Sequence, residues 1–146
     1  MKHSWPAGLR IALGLAFAVS GGLKLMQPSQ EFLAVILKFQ IIGGLPAQIL
    51  SIFLPWTEFI GGVFLVLGLW TEAALGALWI LNLLFILALG SALARRIPMK
   101  DCGCFGERFS LPIWATFILD GVFWAAFWVF WRSKNRFFSL DSAFQK

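Results

Sequence analysis

The chain is 146 residues long, 60% hydrophobic and only 13% charged, with a mean hydropathy of +0.82. That is too apolar for a water-soluble domain of this size, and no polar linker or composition shift marks a second domain. The net charge of +5 does not point to nucleic acid, because the basic residues gather at the ends of apolar runs, where they meet lipid headgroups or set topology. The composition is that of an all-α integral membrane protein in a lipid bilayer, and 16 Phe and 8 Trp with no Tyr suit a lipid-facing surface.

The first predicted span covers residues 8–25 and is apolar apart from Arg10 near its start and Lys24 near its end, both able to snorkel. Gly14, Ala18 and Gly22 recur at helical spacing and leave a smooth face for a neighbouring helix. The same stretch has features of a signal peptide, with Lys2, His3 and Arg10 ahead of an apolar core and an Ala16-Phe17-Ala18 triplet. A retained first span is the expectation. Pro28 and Ser29 break it, and residues 31–42 follow with Lys38 inside. Twelve residues cannot cross a core of about 30 Å at about 1.5 Å per residue, so this stretch is predicted to lie at the interface as an amphipathic helix ended by Gly43-Gly44 and Pro46.

The second span is predicted over residues 47–70, where Pro55 would bend it and Glu58 places an acid at lipid depth. Thr71-Glu72 reads as a tight turn capping a third span over residues 73–94, with Asn82 near its middle. Arg95-Arg96 ends that span at its negative pole. A loop over residues 97–110 leads to Ser110 as N-cap, Pro112 in the first turn and a fourth span over residues 111–131. Asp120 lies eight residues beyond Pro112, roughly 12 Å into the helix and near the midplane. The tail from Arg132 is mixed and polar. The predicted fold is a single domain over residues 1–146, a four-transmembrane-helix bundle with a short interfacial helix between the first and second spans.

Four spans put both termini on one side. The tails and the turn at Thr71 carry Lys2, Arg10, Arg132, Lys134, Arg136 and Lys146, against Lys24, Lys38, Arg95, Arg96, Lys100 and Arg108 opposite. Six against six leaves the orientation open by charge.

The loop contains Asp101-Cys102-Gly103-Cys104-Phe105-Gly106, with the only two cysteines of the chain. A single glycine between two thiols relaxes the backbone enough for a small, strained disulfide ring, and strained, exposed disulfides are the labile, catalytic kind. Arg95, Arg96, Lys100 and Arg108 nearby favour a thiolate, with Asp101 and Glu107 working partly against them. Zinc fits poorly, since two Cys and one distant His3 do not make four ligands. A soft ion such as Cu(I) needs fewer sulfurs and stays open. Disulfides persist outside the cytoplasm, which favours cytoplasmic termini and an extracytoplasmic loop.

Among the remaining candidates, Glu58 is expected to pair with Arg10 or Lys24. Asp120 is either a proton acceptor, a partner to a ligand or thiol, or a staple to Asn82, and Asn82 by itself reads as helix glue. Any of the aromatic residues can line a quinone cleft, and the sequence singles out none.

Several of these stretches together carry a resemblance. The Arg10-led span ending in Gly21-Gly22-Leu23-Lys24-Leu25, the Gln27-Pro28 turn, the Leu54-Pro55-Trp56-Thr57-Glu58 segment and above all Cys102-Gly103-Cys104-Phe105-Gly106 resemble the MauE branch of the DoxX-like integral membrane proteins. The likeness runs from about Gly8 to Phe130. It implies a four-helix transmembrane bundle in a bacterial inner membrane, acting in methylamine metabolism in the maturation of methylamine dehydrogenase, a disulfide-rich periplasmic client, alongside a thioredoxin-like partner. The resulting expectation is a membrane thiol-disulfide redox protein in which Cys102 and Cys104 exchange electrons with that partner, with a quinone open as the onward carrier and Asp120 or Glu58 handling protons. A soft-metal handling protein and a non-catalytic membrane assembly subunit are the alternatives.

Overall fold

The computed structural model describes residues 5–97 and 112–132, and in these the chain is all helix and turn. Four helices are long and apolar enough to cross a membrane: α1 (Trp5–Leu25), α3 (Leu45–Leu67), α4 (Thr71–Ala94) and α5 (Ile113–Arg132). Between the first two of these, α2 (Ser29–Lys38) has ten residues, too short to span. The protein is a four-span helical membrane protein.

The helices stop for local reasons. Gly68 sits in the left-handed region at φ 72° and closes α3 at Leu67, three residues earlier than the sequence pattern indicates. Trp70 follows with a positive φ of 43° and stands at the N-cap of α4, so Thr71 is already helical and is not part of a capping turn. Residues 68–70 therefore form the whole link between two antiparallel spans. The short helix also ends early, at Lys38 instead of near Ile42. Its freed end carbonyls are taken by a side chain from another helix: Arg95 Nη2 donates to Phe39 O at 2.8 Å and Nη1 to Gln40 O at 3.4 Å. Arg95 Nε also donates to Ser91 O at 3.3 Å, so one guanidinium caps the C-termini of α2 and α4 together.

α1 packs most intimately on α3, then α4 on α5 and α3 on α4, while α5 touches α1 only lightly. The close α1–α3 seam exists because the crossing points lack side chains. A Cβ on Gly14 would stand 2.8 Å from Gly62 O, and one on Gly21 would stand 2.6 Å from Phe59 N. Gly21, one place from the Gly22 expected on this face, is the tighter contact; Gly22 has room against the Phe59 ring.

Two apolar clusters fill the bundle. Leu13, Phe17, Leu65, Leu75, Leu78 and Phe127 form the larger one. Beside it the indoles of Trp79, Trp124 and Trp128 stack in a row with centroids 6.1 Å apart at each step. The smaller cluster joins Phe39, Leu89 and Ala92 with Ile97, Ile113 and Phe117. It ties α2 to the end of α4 and the start of α5, the two ends from which the cysteine-bearing connection departs.

Candidate functional site

Between these clusters the bundle carries a polar layer, built by one or two residues from each of the four spans. Lys24, the penultimate residue of α1, reaches Glu58 of α3 and donates to both carboxylate oxygens at 2.8 Å. Ser20, one turn before Lys24 on the same face, donates to Glu58 Oε2 at 3.3 Å. Both ionic side chains are 2% exposed. A lone charge at this depth is costly, and here each partner compensates the other with short, charge-assisted bonds. Two aromatic faces complete the box around the ammonium: Phe32 of α2 at 5.2 Å and Phe85 of α4 at 4.9 Å from Nζ. The short helix thus lays an aromatic ring directly over the ion pair.

A second polar pair lies across the same layer. Asn82 of α4, fully buried, donates from Nδ2 to Asp120 Oδ1 of α5 at 3.3 Å. Lys24, Glu58, Ser20 and Asp120 line one cavity with Ala16, Phe17, Phe85 and Phe123. Its volume is about 20 Å³, enough for about one water molecule and far too little for a quinone ring.

Of the residues singled out from sequence, the structure joins Lys24 with Glu58 and Asn82 with Asp120, and brings Lys24, Glu58 and Asp120 to one cavity. Arg10 is buried in α1 but lies fourteen residues before Lys24, about 21 Å along the helix, and belongs to the opposite end of the bundle. Cys102 and Cys104, with the Ser110 cap, Lys100, Arg108 and the tail beyond residue 132, lie outside the described residues. The sequence reading missed Ser20, Phe32 and Phe85. The spacing of Ser20 four before Lys24 was a usable signal, whereas an aromatic ring folded over a charge from another helix leaves none.

A model of the family described as methylamine utilisation protein MauE matches residues 2–133. The chain belongs to the MauE family. The matched region takes in all four spans of this MauE-family chain, both polar pairs and the connection carrying Cys102 and Cys104. No curated protein and no solved structure matches the chain.

Proposed function

We propose that this MauE-family protein is a membrane thiol-disulfide exchanger whose working pair is Cys102 and Cys104, serving an extracytoplasmic thioredoxin-like protein and, through it, the maturation of a disulfide-rich client in methylamine utilisation. One observation carries this reading. The chain's only two cysteines stand one residue apart in the connection between α4 and α5, whose flanking residues Ile97 and Ile113 pack in one apolar cluster with Phe39 at the end of α2. A flexible glycine hinge between two thiols on a fixed base suits repeated closing and opening of a small ring.

The exchange balances without a further reagent. With the pair reduced, one cysteine thiolate attacks the partner's disulfide, forms a mixed disulfide and releases one partner thiolate. The other cysteine then attacks the sulfur of its neighbour, the Cys102–Cys104 bond forms, and the partner leaves as a dithiol. Two electrons pass to the partner, and the two protons of the original thiols end on its sulfurs. The same steps run backwards, and the relative potentials of the two pairs set the direction. This reading has the loop facing the periplasm from a bacterial inner membrane, because such bonds persist there. A quinone that drains or supplies the electrons would have to bind outside the cavity of the polar layer.

Cys102→Ser and Cys104→Ser each test this directly. Both variants are expected to remain in the membrane and to lose client maturation, and one of them is expected to accumulate a mixed disulfide with the partner. Full maturation in both variants contradicts the proposal.

A further inference from the structure

Counting hydrogen-bond groups in the polar layer leaves a remainder. Glu58 accepts from Lys24 at both oxygens and from Ser20 at one, so that pair is satisfied and electrically neutral. Asp120 has a single hydrogen bond among the described residues, from Asn82, and no cation of its own. The other end of that amide, Asn82 Oδ1, is fully buried and has no donor among the described residues. The layer is therefore short of donors by at least one and carries one negative charge more than positive when all its groups are ionised. In a low-dielectric surround such a shortage calls for a bound positive donor.

We propose that Asp120, Asn82 and the cavity beside them form a proton-exchange site, in which one proton is held on Asp120 and passed to and from a single water in the cavity. A proton on Asp120 balances the charge of the layer and adds one donor to it. The volume of about 20 Å³ admits one water. Once there, the water meets Asp120, Ser20 and the Lys24–Glu58 pair, which line the same space. A metal cation is the poorer occupant, because the Lys24 ammonium borders the cavity and repels it. The groups that face Asp120 are thus Lys24 and Ser20 from α1, Glu58 from α3 and Asn82 from α4. Arg10 is about 21 Å away along α1. Glu58 is left as the fixed half of an ion pair, and the exchange is assigned to Asp120 alone. The cavity is walled by α1, α3, α4 and α5 together, and α5 is held only lightly by α1.

This site stands apart from the thiol reading and holds whether or not Cys102 and Cys104 cycle. Infrared difference spectra of the full chain in lipid nanodiscs, taken between acidic and alkaline pH, test it. Expected is a carboxylic-acid carbonyl band that appears reversibly with acid, shifts in deuterated water, is lost in Asp120→Asn and moves in Asp120→Glu. A Lys24→Met/Glu58→Met double variant is expected to keep the band. Labelling the aspartate carboxyl carbons in the unaltered protein assigns the band even where a variant fails to fold. A spectrum with no band dependent on residue 120 overturns the proposal. So does a band lost in the Lys24→Met/Glu58→Met variant but kept in Asp120→Asn, or one that follows sodium concentration at constant pH.

Discussion

The halves of this bundle on either side of Phe17 are built from the same four helices and hold together in different ways. Toward the end where α4 leaves and α5 returns, Ser20, Lys24, Glu58, Asn82 and Asp120 face one another. One turn further along α1 and α4 and two turns further along α3 and α5, away from that end, the facing residues become Phe17, Leu65, Leu78 and Phe127, with the Trp79–Trp124–Trp128 stack beside them. The apolar half needs only shape. In lipid its burial brings little hydrophobic gain, and packing is what remains. The polar half is costly to place in hydrocarbon and stable only while every partner is present. Structure that packing alone would supply more cheaply is a mark of use, and here it lies in the half of the bundle where α4 ends and α5 begins.

The largest expected effect breaks the polar half. Glu58→Ala leaves the Lys24 ammonium buried and unpaired, at a cost of about 3–5 kcal/mol, read as loss of membrane accumulation and an earlier transition in detergent-induced unfolding. Removing both charges in Lys24→Met/Glu58→Met is expected to restore stability, because the pair contributes little net energy over an apolar replacement. Persistent instability of the double variant would show that the pair itself holds the fold. Phe127→Ala in the apolar half comes next, at about 2 kcal/mol, below the range for water-soluble cores because lipid removes most of the transfer component. Asn82→Leu follows, at about 1 kcal/mol, the size of one interhelical hydrogen bond in a membrane. Smallest is Arg95→Ala, below about 1 kcal/mol on the same unfolding curve; it is expected instead to free the end of α2, seen as faster amide exchange at Phe39 and Gln40.

The sequence carried the spans well, because runs of apolar residues bounded by Pro, Gly and Arg leave few other solutions at bilayer depth. It carried the polar partners in outline: an acid at position 58 was expected to meet a base at 10 or 24, and the fold selects Lys24 because the helix register sets Glu58 against Gly21, three residues from Lys24 and eleven from Arg10. Helix ends were less legible. Gly68 in a left-handed conformation and the Arg95 clamp on α2 depend on tertiary placement, and hydropathy does not encode either. The aromatic box around Lys24 was invisible for the same reason, since Phe32 and Phe85 arrive from two other helices.

The most direct measurement is thiol labelling of intact cells with a membrane-impermeant reagent, before and after mild reduction. Cys102 and Cys104 are expected to be protected as a disulfide in a fraction of the molecules and to become reactive from outside once reduced. Two thiols that stay reduced and react only after the membrane is opened would contradict electron exchange at the outer face.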